Sequence, residues 1–166
     1  MSTLVLKGGN AIDLIYEVAS RASIDLDFSI AGDFESTKFL RDRLTQALEF
    51  VFGEIDLAVF DLKVTERPPQ LSPDIADFWG GYLVEFKLIG KEKFDEFSGD
   101  IETLRRNAIG VSPNGSTKFK IDISKHEYCE TKRAYDLDHY RIFVYPPELI
   151  VAEKLRAICQ QMPEYG

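Results

Sequence analysis

The chain has 166 residues, 45% hydrophobic and 29% charged, enough apolar material for one packed core and too ordered a balance for a disordered or fibrous protein. Its net charge of -8 counts against a protein that coats nucleic acid nonspecifically, because that affinity comes from Lys and Arg neutralising phosphates, and leaves room for a local basic groove. No apolar run approaches the roughly 18 residues of a membrane span, the N-terminus lacks the basic and apolar segments of a secretory signal, and Cys129 and Cys159 lack metal-ligand or redox spacing. The expectation is one cytoplasmic domain over residues 1–166, without a membrane segment or disulfide.

Thr3 to Lys7 reads as a short strand broken by Gly8-Gly9, after which Asn10 caps a helix to about Ser20. Asp25 to Ile30 reads as a strand. Residues two apart in a strand point the same way, so Asp25 and Asp27 share one face while Ile24, Leu26 and Phe28 face a core. Two carboxylates aimed together suit a hard divalent cation such as magnesium. A turn at Gly32 to Glu35 leads to a helix from about Ser36 to Phe52, and Ile55 to Thr65 reads as a long strand. Pro68, Pro69 and Pro73 mark a loop, Gly80 to Ile89 alternates as a strand, and a charged helix is expected from about Lys91 to Ala108.

Ser-Pro-Asn-Gly at 112–115 signals a turn, and in Lys118 to Ser124 the alternation puts Lys118, Lys120, Asp122 and Ser124 on one polar face. Asp122 is therefore a third carboxylate on a strand. Tyr140 to Tyr145 is a short strand ending at Pro146-Pro147, which suit the first turn of a final helix to about Gln161. On that helix Leu155, Ile158, Cys159 and Met162 form an apolar arc and Glu153, Arg156 and Gln160 a polar one. Lys154 belongs to neither. Either its stem packs while the amine escapes to water, or the ammonium meets a phosphate in a cleft. His126 and His139 are isolated and carry no assigned role.

Four segments, Lys7-Gly8-Gly9-Asn10-Ala11-Ile12, Arg21-Ala22-Ser23-Ile24-Asp25-Leu26-Asp27, Phe119-Lys120-Ile121-Asp122-Ile123, and Tyr145-Pro146-Pro147-Glu148 with Ala152-Glu153-Lys154-Leu155-Arg156-Ala157, together resemble the AbiEii-type nucleotidyltransferases. These belong to the DNA polymerase β-like superfamily and include toxins of toxin–antitoxin and phage-defence systems. The resemblance implies an α/β (α+β) fold: a mixed, mostly antiparallel sheet flanked by helices, with the acids at one sheet edge and the last helix closing the cleft. It implies magnesium, as a two-metal site with nucleotide bound, held by Asp25, Asp27 and Asp122. Gly8, Gly9, Asn10, Arg21 and Lys154 would contact the nucleoside triphosphate, with Lys154 on the triphosphate itself. Asn10 stands where the superfamily usually has Ser or Thr, offering an amide instead of a hydroxyl. The family continues beyond the Lys154 helix into a helical region, so a form lacking that C-terminal region is expected.

By the same resemblance the acceptor is a hydroxyl, of an RNA such as a tRNA 3′ end or of a protein, and a cognate antitoxin is a reasonable partner. Two other readings compete. A PD-(D/E)xK nuclease would use Asp74, Glu85 and Lys87, a loose pattern that leaves the glycine pair, Asp25, Asp27 and the Lys154 helix unexplained, with Glu85 and Lys87 otherwise read as an ordinary cross-strand ion pair. A catalytically inactive fold would serve as a partner-binding module.

Overall fold

The computed structural model describes residues 3–17, 25–70, 79–112 and 115–162. Its strands are β1 (Val5–Lys7), β2 (Leu26–Ser29), β3 (Leu57–Arg67), β4 (Gly81–Gly90), β5 (Phe119–Ser124), β6 (Arg133–Leu137) and β7 (Tyr140–Val144). Among the described residues they form one seven-stranded sheet in the order β3-β4-β5-β2-β1-β7-β6. The β2–β5 and β1–β7 pairs are parallel and the other neighbours antiparallel, the mixed and mostly antiparallel sheet expected. The helices are α1 (Gly8–Leu14), α2 (Thr37–Gly53), α3 (Lys91–Glu96), α4 (Ile101–Arg106) and α5 (Pro147–Gln160). No described helix is long and apolar enough to cross a membrane.

The period of each element decides which face is covered. Ser36 caps α2, its hydroxyl accepting from the Phe39 N–H at 3.0 Å. Leu40, Leu44, Leu48 and Phe52 then recur every four residues and pack on Tyr82, Val84, Phe86 and Leu88 of β4 and Ile121 and Ile123 of β5. Alternation sends Leu83 and Glu85 of β4, and Asp122 and Ser124 of β5, to the opposite face. A second core, of Val5, Leu6, Ala11, Val144, Tyr145 and Ile150, binds α1 and the start of α5 to β1 and β7. Leu26 and Phe28 of β2 pack against both cores, and alternation turns Asp27 between them to the opposite face, in register with Asp122.

Several expected elements are altered. The helix expected from Lys91 to Ala108 is two, because Gly99 takes φ +96 and Asp100 starts α4, its carboxylate accepting from the Glu102 and Thr103 N–H groups at 3.1 Å each. Strand β6 was not foreseen. It pairs with β7 through Asp138 and His139, both at positive φ, a two-residue turn built without the usual glycine. Asn10 does not cap α1, which begins at Gly8 after Lys7 with no side-chain cap. The acids are not at a sheet edge, since β5 and β2 are the third and fourth of seven strands.

Helix α5 also presents a different face from the one its pattern suggests. Ile150 is 2% exposed, whereas Leu155 is 57% and Ile158 60% exposed, with Cys159 and Met162 also facing outward. The first turn docks its apolar residues on the β1–β7 core. Beyond it the helix passes the polar centre of the sheet, so Glu153, Lys154 and Arg156 line its inner side.

Candidate active site

The site is assembled from three neighbouring strands and one helix. Antiparallel β1 and β2 put Lys7 opposite Asp27, and parallel β2 and β5 put Asp27 opposite Asp122. Helix α5 supplies Glu153, Lys154 and Arg156, closing a cleft of about 260 Å³ that Gly8, Asp27, Asp122 and Ser124 also line. Lys7 crosses its floor. Its ammonium donates to Ser124 Oγ at 3.0 Å and stands 3.5 Å from Glu153 and 3.9 Å from Glu127, with the side chain 14% exposed.

Gly8 is there for two physical reasons. Its φ of +69 lies in the left-handed region, and a Cβ on it would run into the Asp27 carboxylate. Any larger residue would displace the acid the cleft is built around. Gly9 follows it in α1 and is half-buried. Asn10 is buried within α1, its amide donating to the Asp25 carbonyl oxygen, so it anchors the backbone entering β2 and does not line the cleft.

Charge around Asp27 is unbalanced. Burial raises its carboxyl above the ordinary carboxylate range, Asp122 adds to the rise, Lys7 and Lys154 pull it back, and Asp25 adds a smaller upward push. Asp25 itself is exposed just before β2. Among the described residues no group of three His, Cys, Asp or Glu is close enough to hold a metal ion, so the centre is a carboxylate pair with Asp25 at its margin. That pair, with oxygen as its only donor atom and two ammonium groups beside it, fits a magnesium ion that takes its other ligands from water and phosphate. Arg21 lies outside the described residues.

A second groove of about 670 Å³ meets the cleft at Asp122 and Ser124, and Arg67, Pro68, Pro69 and Trp79 are among its walls. Arg67 Nη1 lies 3.8 Å from Asp122 Oδ2. Ser124, Glu153 and Arg67 carry no role in the reading from the chain alone, and Lys7 enters it only as the first residue of the Lys7-Gly8-Gly9-Asn10 phosphate cradle. Alternation could have found Lys7 and Ser124, since Lys7 closes the strand before the glycines and Ser124 follows Asp122 by two. Arg67 depends on β3 pairing with β4, which no short pattern reveals. Glu85 and Lys87 do not pair with each other, since both lie on β4: Glu85, a wall of the groove, accepts from Lys118 at 3.0 Å, and Lys87 stands 3.8 Å from Asp61. Asp74 lies outside the described residues.

Comparison with known proteins adds the family. The crystal structure of an H. pylori protein described as a nucleotidyltransferase matches with a TM-score of 0.49 and 17% identity, covering 93% of this chain and 50% of that one. The chain thus spans about half the length of that relative. No curated protein matches it. The family described as "Nucleotidyl transferase AbiEii toxin, Type IV TA system" matches residues 1–165. With nearly every residue matched, the chain belongs to the AbiEii family of nucleotidyltransferase toxins of type IV toxin–antitoxin systems.

Proposed function

We propose that this chain transfers a nucleoside monophosphate from a nucleoside triphosphate to a hydroxyl acceptor, an RNA such as a tRNA 3′ end or a protein side chain, as the toxin of a system with a cognate antitoxin in the cytoplasm. The observation that carries the reading is the pairing of Asp27 with Asp122 under Lys154, beside a glycine that admits no side chain. In the transfer the acceptor oxygen bonds the α-phosphorus, the bond to the bridging oxygen breaks, and pyrophosphate departs with that oxygen and its electron pair. The hydroxyl proton passes to the Asp122 carboxylate or to water.

Each residue has a defined part. Lys154 meets the triphosphate as a point charge, and the Gly8-Gly9 backbone lets the phosphates approach closely. Lys7 offsets the charge of Asp27. Asp27 and Asp122 would hold magnesium, with Asp25 at its margin, and the ion would supply charge stabilisation for the attacking and leaving oxygens. Arg21 is retained as a nucleotide contact, whereas Asn10 acts on the site only by placing β2 through its bond to the Asp25 carbonyl.

Titrating each nucleoside triphosphate with magnesium into the chain tests the donor half. Binding that is lost in Asp27→Ala/Asp122→Ala supports it, and no binding by the unaltered chain contradicts it. A partner-binding module is favoured by one observation, the lack of a three-acid group among the described residues. Nucleotide-independent capture of a protein partner, unchanged in the double variant, would choose that reading.

A further inference from the structure

We propose that the groove beside Asp122 is an acceptor subsite for the end of a single-stranded polynucleotide, with Trp79 stacking on a base and Arg67 exchanging Asp122 for a phosphate. This rests on the transferase reading and narrows its acceptor. The groove and the donor cleft share Asp122 and Ser124, so a chain end laid in the groove brings its hydroxyl to the carboxylate where the donor's α-phosphate is held. At about 670 Å³ the groove is more than twice the volume of the cleft, as an extended ligand requires.

Its walls have the chemistry of base and phosphate. Trp79, the one tryptophan of the chain, leaves 54% of its surface exposed beside Pro68 and Pro69. Such an indole is an open stacking platform, on which a base of any identity can lie. Arg67 and Asp122 form a long, half-exposed ion pair of the weakly stabilising surface kind, so a phosphate can displace the carboxylate at little cost and gain a two-pronged contact. The other acids of the groove are already engaged. Glu85 is paired with Lys118, and Glu66 accepts from the Thr37 hydroxyl at 2.7 Å. Lys120, beside Glu85 on β5, adds a further cation along the same sheet. A protein acceptor explains neither the stacking surface nor these cations.

Because Trp79 is the one tryptophan, its emission reports the groove directly, without nucleotide or metal. Titration with a short single-stranded RNA of mixed sequence should quench it saturably. In Arg67→Ala the affinity should fall about tenfold, the loss of one charged contact, and the salt dependence of log K should become shallower by about 0.7, the share of one phosphate on a single strand. If Arg67→Ala does not fold, Arg67→Lys, which keeps the charge and loses the fork, should weaken binding by a smaller factor. Unchanged emission with RNA, quenching by a serine-rich peptide in place of RNA, or an Arg67 variant with unaltered affinity and salt slope would overturn the proposal. Nucleotide transfer to RNA with Trp79 unquenched would overturn the groove and keep the transferase. Quenching in a chain that binds no nucleoside triphosphate would do the reverse.

Discussion

Gly8 and Asp27 constrain each other, and that contact yields two expectations. Gly8→Ala puts a methyl group into the Asp27 carboxylate at a left-handed φ, so chemical denaturation should show a loss of at least about 1–2 kcal/mol, with nucleotide binding lost as well. Asp27 itself acts on stability with the opposite sign. Its carboxyl is raised, chiefly by burial and then by Asp122, so the folded chain holds that proton more tightly than the unfolded one. The resulting stability is present below about pH 4, the ordinary range of an aspartate, and is lost as pH rises through the raised value. Asp27→Asn removes that loss. Thermal melts in chelator should therefore show the variant more stable than the unaltered chain at pH 7, with the gain gone in acid, and a variant less stable at pH 7 would contradict this account of the charge. At this scale the sequence was legible where one strand's alternation sufficed, as for Asp27 and Asp122. Arg67 and Trp79 were not, because their place beside Asp122 depends on strand pairings far apart in the chain.

At the scale of elements, α5 shows the limit of reading a helix from its own pattern. The apolar arc of Leu155, Ile158, Cys159 and Met162 is evident in the sequence, but the period says nothing of what lies beneath. The inner side of the helix meets Lys7 and Asp27, so the polar residues turn in and the apolar ones out. Unfolding measurements can check this division. Ile150→Ala should cost about 2–5 kcal/mol, whereas Ile158→Gln should stay within about 0.5 kcal/mol. Equal losses would mean that the arc is packed. The same limit explains the break between α3 and α4, where Gly99 and the Asp100 cap outweigh the helix formers on either side, and the hairpin turn of Asp138 and His139.

Across the whole molecule the site lies on strands anchored by two cores, the α2 core and the core joining α1, α5, β1 and β7, which meet at Leu26 and Phe28 of β2. Functional groups on packed strands keep their spacing better than groups on loops, which suits the proposed transfer, in which two ligands are placed on either side of Asp122. The net charge of -8 is compatible with a nucleic acid acceptor because the cations that matter are local to the sheet face. The direct test of the central claim is transfer of label from each α-phosphate-labelled nucleoside triphosphate, with magnesium, to total cellular RNA and protein, by this chain and by Asp27→Ala/Asp122→Ala. The account predicts label on RNA, release of pyrophosphate, and loss of both in the double variant. No transfer to RNA or protein, or transfer undiminished by the double variant, would contradict it.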